Sequence, residues 1–246
     1  MSTSVVRAMR ILDLLAHADE AMTLTEIAEK LDIPKSTAFG ILRDMVNESF
    51  VSLPKPATYT IGLKAFEVGS AHLRRVGVTG IVTPELSRLT RALGVTSHYA
   101  ILDRTDAVYL CKQDPPGLGI RLASSVGARL PSHLTAVGKA CLAWLAEERL
   151  PEHIELTAPD DTGMANPLQQ LTAELTEIRQ RGFAADNGQI TPGVTCVAAP
   201  VFNPAGCQGA VGVSYLRDTA VDFDTLVTQV REAAGRTSAL LGGAPA

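Results

Sequence analysis

Residues 24–42 read LTEIAEKLDIPKSTAFGIL. Leu24, Ile27, Ala28 and Leu31 recur at helical spacing, as do Ala38, Ile41 and Leu42, with a short polar joint between the two sets. Two helices so close in sequence must pack on one another. The reading places a cap at Thr25, whose hydroxyl can meet a free N–H, with Glu26 and Glu29 near the positive end of the dipole. Asp32 stops the first helix and Pro34 opens the second, where a missing N–H costs nothing. Packing uses the apolar set of the second helix, which leaves Lys35, Ser36, Thr37, Gly40 and Arg43 on an outer face that carries no acid before Asp44. Such a face fits a major groove: hydroxyls reach phosphates and base edges, and cations meet phosphate charge.

Downstream, Phe50, Val51 and Ser52, the turn residues Pro54, Lys55 and Pro56, and then Tyr59, Thr60 and Ile61 predict a two-stranded wing. Upstream, VVRAMRILDLLA (5–16) predicts an amphipathic helix with apolar surface left over for a partner chain. A plain helical hairpin would share the pairing but not the order of helix, helix and wing. That order predicts a winged helix-turn-helix reader of double-stranded DNA. Its DNA-facing candidates are Thr25, Lys35, Ser36, Thr37, Gly40, Arg43 and, in the wing, Lys55.

The full chain of 246 residues carries a net charge of −4. Residues 1–75 hold 9 basic and 9 acidic side chains, so the acidity lies wholly in the remainder, with 13 against 17. A neutral reader has modest non-specific affinity, and specificity then requires two copies on a two-part site. No apolar run has the length of a membrane span and no secretion signal is read, so no membrane partner and a cytoplasmic location are expected. Cys111, Cys141, Cys196 and Cys207 show neither CxxC nor histidine spacing, which argues for reduced thiols and no metal site.

Residues 62–75 predict a linking helix with Leu63, Phe66 and Leu73 inward, followed by a boundary near Arg74–Gly77. Three segments suit a domain 1–61, a linker 62–76 and a domain 77–246. In the last, Pro84 is read as starting a helix that Gly94 ends. Ser97–Leu102 and Ala107–Lys112 form a hairpin, Ile120–Ser124 a further strand, and residues 129–132 a loop into a helix over Leu134–Ala146. Leu168–Arg181 is amphipathic, Val194–Phe202 and Gly209–Tyr215 are paired strands, and Asp224 opens a last helix. Hairpins separated by helices indicate an α+β sensor domain.

Chemical motifs are weak by comparison. Gly138-Lys139 lacks the upstream glycine and the following Ser or Thr of a phosphate loop. Cys196 as a nucleophile with His133 as base defines a competing reading, a small-molecule-processing enzyme, but no oxyanion loop accompanies it and buried cysteine is common. No catalytic residue and no cofactor are therefore assigned. Asp186 beside Asn187-Gly188 reads as a solvated turn residue, and alternation along its strand leaves the face taken by Ser214 open.

The segments RAMRILDLLA (7–16), TLTEIAEKLDIPKSTAFGIL (23–42), YTIGLKAFEVGS (59–70), VGARLPSHLTAVGKACLAWL (126–145) and GVTCVAAPVFNPAG (193–206) together resemble the IclR family of bacterial transcriptional regulators over nearly the whole chain. The resemblance implies a winged helix-turn-helix domain, a linker helix, a GAF/profilin-like α/β effector domain, and a homodimer or dimer of dimers. It implies a small-molecule effector site formed by the Ala136 and Val137 amides with Asp186, Cys196 and Ser214. A helix N-terminus that binds a carboxylate, with a thiol and a hydroxyl fixing the rest, is chemically consistent. Three residues depart from the family pattern. Gly40 stands where arginine is frequent, Gln189 replaces a glutamate, and Gly212 replaces a serine of some relatives. The last change implies a larger, less polar pocket and an effector bulkier than a two- or three-carbon acid, with an aromatic body.

Overall fold

The structure, a computed structural model, describes residues 3–117, 124–154 and 167–243. The chain divides into two compact units, Met1–Val76 and Gly77–Ala246.

In the first unit, helices α1 (Ser4–Ala16), α2 (Leu24–Leu31) and α3 (Lys35–Asn47) surround a core of Ile11, Leu15, Ile27, Leu42 and Met45. Asp32 ends α2 in the left-handed conformation (φ 50°), and Pro34 caps α3 from just outside it. The cap of α2 is Thr23, not Thr25. Its N–H donates to Glu26 Oε2 (2.7 Å) while Glu26 N–H donates to Thr23 Oγ1 (3.3 Å), a reciprocal box that closes both ends of one turn. Thr23 is held extended because β1 (Met22–Thr23) pairs with β3 (Thr58–Ile61), which also pairs with β2 (Val51–Ser52). The wing strands β2 and β3 thus belong to a three-stranded sheet ordered β1-β3-β2, with β3 at its centre.

Gly62 joins the wing to α4 (Leu63–Val76): a Cβ there would lie 2.2 Å from the Ser49 carbonyl oxygen, so only glycine lets α4 start against that turn. Leu63 and Phe66, expected inward, are each 69% exposed. The side chain of Leu73, the third residue of that stripe, lies outside those described.

The second unit opens at Gly77, whose left-handed φ of +66° breaks the chain path. Helix α5 runs over Val78–Leu93, so Pro84 lies inside it and does not begin it. The six-stranded antiparallel sheet has the order β6-β5-β4-β9-β8-β7. Its strands are β4 (Thr96–Asp103), β5 (Asp106–Gln113), β6 (Arg129–Pro131), β7 (Ala184–Asn187), β8 (Val194–Asn203) and β9 (Gly206–Leu216). Two of these correct the sequence reading. Residues 129–131 pair with β5 and are not loop, and Asp186 sits in a strand opposite Cys196. The expected strand over 120–124 falls outside the described residues except at Ser124.

Helices α5 and α8 (Phe223–Leu240) pack on one face of the sheet. On the other lie α6 (Ala136–Leu142), shorter than expected because a 3-10 turn (Ser132–Leu134) precedes it and the chain tightens into a turn over 143–145, where Trp144 N–H donates to the Cys141 carbonyl and Leu145 N–H to that of Leu142, and α7 (Pro167–Arg181). Strand alternation sorts the residues: Val197, Val211 and Val213 face α8, while Cys196, Ala198, Ala210 and Ser214 face α6. The sheet face under α6 is therefore the one that can hold a site.

Candidate functional site

Two surfaces are built from the predicted residues, one in each unit. On α3, Lys35, Ser36 and Arg43 are exposed and Thr37 and Gly40 are half-buried, while Ala38, Leu42 and Met45 fill the core behind them. Arg43 is held along the helix surface by Asp44, its Nε and Nη2 donating to Oδ1 at 3.1 and 3.0 Å. Thr25 is exposed on α2, and Lys55 is exposed in the wing turn, where its carbonyl accepts from the Thr58 N–H and hydroxyl. One residue of this surface escaped sequence reasoning. Phe39, which the sequence reading assigned to neither the core nor the outer face, is 52% exposed.

In the second unit, Ala136, Val137, Asp186, Cys196 and Ser214 line a single cavity between the start of α6 and the sheet. The row runs across three neighbouring strands: Asp186 pairs with Cys196 and Cys196 with Ser214. Cys196 Sγ lies 3.1 Å from Ser214 Oγ, and His98 Nε2 on β4 lies 2.9 Å from the same hydroxyl. Thr135 caps α6 by accepting from the Gly138 N–H (3.1 Å), which fixes where the Ala136 and Val137 amides point.

Sequence reasoning missed His98, Tyr109, Ser124 and Thr135, which also line the cavity. Among the described residues, His98 Nδ1 and Ser124 Oγ are buried there without a protein partner, polar atoms that an occupant would satisfy. Nothing local marks them, since His98 and Ser214 stand 116 residues apart. Gly212 corrects the expectation of a larger pocket. A Cβ at Gly212 would lie 2.6 Å from His98 Cε1, so the imidazole already fills the space that glycine leaves.

The electrostatics oppose nucleophilic chemistry. Burial pushes the Cys196 thiol up to about 11, partly offset by Ser214, so it is a protonated thiol near neutrality. Burial, aided by the charge of Lys112, takes His98 down to about 3, leaving a neutral ring. His133 is not among the described lining residues. Burial also raises Asp186, against the Gln189 N–H and Lys139, which favour its charge. Gln189 ties this corner together: its N–H donates to Asp186 Oδ1 (2.8 Å) and its Oε1 accepts from Lys139 Nζ (2.6 Å), which also donates to Glu174 Oε1 (2.8 Å).

The family description "IclR helix-turn-helix domain" matches residues 4–56, and "Bacterial transcriptional regulator IclR C-terminal" matches residues 70–239. The chain belongs to the IclR family of bacterial transcriptional regulators. The HTH-type transcriptional regulator BhcR of Paracoccus denitrificans is 35% identical over 231 residues, covering 92% of this chain and 81% of that protein. The transcriptional repressor IclR of Escherichia coli is 31% identical over 206 residues, covering 81% and 74%. Among solved structures, an IclR regulator from Alicyclobacillus acidocaldarius superposes with a TM-score of 0.80 at 30% identity, covering 98% and 100% of the two chains. An IclR homologue from Microbacterium hydrocarbonoxydans, complexed with 4-hydroxybenzoate, shares the fold with a TM-score of 0.82 at 21% identity, covering 97% and 99%. This IclR-family protein is accordingly a DNA-binding transcriptional regulator with an effector-binding C-terminal domain. Its relatives are named regulators and repressors, and the reading of Cys196 as an enzyme nucleophile is set aside.

Proposed function

We propose that this regulator works in the cytoplasm as a homodimer, or a dimer of dimers, whose DNA affinity is set by a compact organic acid with an aromatic body. The observation that carries the effector class is the cavity itself. Its described lining is largely apolar and holds no lysine or arginine, so an acid group is met by the Ala136 and Val137 amides, and the apolar walls take up a ring. At the far end Asp186, Cys196 and Ser214 offer hydrogen-bonding partners for a second polar group. The fold neighbour crystallised with 4-hydroxybenzoate supports the same chemistry.

In this reading Thr25, Lys35, Ser36, Thr37, Gly40, Arg43 and Lys55 meet the duplex, with α4 as the linker. The exposed apolar residues Val5, Val6 and Met9 of α1, with Leu63 and Phe66 of α4, support pairing of two copies and hence a two-part operator. Effector binding favours one dimer arrangement, and a hundredfold change in operator affinity needs only about 2.7 kcal/mol of differential binding.

Fluorescence anisotropy of the full-length protein on DNA from its own upstream region, repeated with aliphatic and aromatic acids, tests this. Salt-dependent binding that benzoate-like acids shift is the expected result. Tight calorimetric binding of glyoxylate or pyruvate with none of benzoate-like acids would overturn the effector class.

A further inference from the structure

We propose that Phe39 is a base-reading residue of the recognition helix, one that detects a thymine by its 5-methyl group. The inference rests on α3 being the helix that enters the major groove. Phe39 is a large aromatic ring 52% exposed in a unit whose other helical core residues on α3, Ala38, Leu42 and Met45, are buried. It stands four residues from each of Lys35 and Arg43, so the three form one stripe with the ring between two cations. Lys35 and Arg43 suit phosphates on either side, and an aromatic ring suits the methyl group that distinguishes T from C in the major groove.

The notch beside the ring supports the same assignment. A Cβ at Gly40 would meet nothing within 4 Å, so the α3 backbone there is bare and can sit deep enough in a groove to bring Phe39 to a base edge. The apolar surface offered to a second copy is elsewhere. The groove that α1 makes with α3 uses Ile41, Asp44, Met45 and Glu48, and at 3.6 residues per turn Ile41 lies about half a turn round the helix from Phe39.

The test uses duplexes selected from a random pool by the full-length protein, then remade with single thymines replaced by deoxyuridine, which removes only the methyl. For the wild type, at least one such replacement in each half-site should lower affinity roughly fourfold, the value of one buried methyl. Phe39→Ala should bind more weakly yet be indifferent at that position. Should Phe39→Ala bind too weakly to measure, Phe39→Leu must show a reduced deoxyuridine effect there. A wild type insensitive to every replacement, a selected site with no fixed thymine, or an unchanged deoxyuridine effect in the variants would each overturn the proposal. In those cases binding that still falls steeply with salt keeps the placement of α3 in the groove. A wild type that selects no sequence at all would overturn that placement and the proposal with it.

Discussion

Helices α3 and α6 carry the two candidate sites, and they are built in opposite ways. On α3 only Ala38, Leu42 and Met45 are buried, and the polar residues face outward. On α6 every residue from Ala136 to Leu142 is buried. Function on α3 is therefore separable from the fold, because the groups offered to DNA support nothing beneath them. On α6 the residues that border the cavity are also the core, so a substitution there changes both at once.

Gly138→Ala is the largest expected effect and the sharpest challenge to that contrast. A Cβ at position 138 would lie 2.1 Å from the Ser132 carbonyl oxygen and 2.5 Å from Ser132 Cα. Both are backbone atoms of a buried residue, so neither can move cheaply. The variant should lose about 3 kcal/mol or more of stability, read as a large drop in thermal midpoint. A near-normal midpoint would mean that α6 is looser than its burial implies.

On α3 the order of effects reverses. Ser36→Ala with Thr37→Ala should shift the thermal midpoint by a few degrees at most, since Ser36 is exposed and Thr37 half-buried, positions where losing a hydroxyl costs about 1 kcal/mol or less. Specific DNA affinity should nevertheless fall roughly a hundredfold if each hydroxyl makes a contact worth about 1 to 3 kcal/mol. A normal footprint from the double variant would refute the assignment of α3 as the recognition helix.

The same contrast explains what the sequence made legible. The pairing of α2 with α3 is a local pattern, visible in LTEIAEKLDIPKSTAFGIL because helical periodicity and the Asp32 stop lie within a few residues. Thr23 displaced Thr25 as the cap because a strand pairing, Met22 with Tyr59, fixes its backbone from far along the chain. Asp186 looked like a turn residue for a sound local reason: Gly188 is indeed left-handed, at φ +88°. What moved it to a buried strand is its pairing with Cys196. The cavity residues that a family resemblance implied are brought to one cavity, whereas His98 was invisible because only the β4–β9 pairing sets it beside Ser214.

His98 yields a smaller, pH-dependent prediction. Its folded value lies near 3 against an ordinary 6.5, so below pH 6.5 the unfolded chain binds a proton that the folded chain refuses. The stability it contributes is full above pH 6.5 and falls by about 1.4 kcal/mol per pH unit as pH drops toward 3. Lys112 and Asp114 act on it in opposite directions and leave burial as the dominant cause. Thermal midpoints of wild type and His98→Gln between pH 7 and 5 check this. The variant should show the flatter profile, and parallel profiles would place the titration elsewhere.

The smallest effect divides fold from function most cleanly. Gly40 has open space where a Cβ would sit and a helical φ, so alanine meets no clash there and gains helix propensity worth up to about 1 kcal/mol. Gly40→Ala should raise the thermal midpoint by a few degrees, the opposite sign to Gly138→Ala within the same protein. If the bare backbone at position 40 is what lets Phe39 reach a base, the more stable variant should also bind its operator more weakly, and lose sensitivity to deoxyuridine at the Phe39 position first. Gains in both stability and affinity would mean that the duplex never comes close to this turn of α3, and the outward face would then be read by Lys35, Ser36 and Arg43 alone.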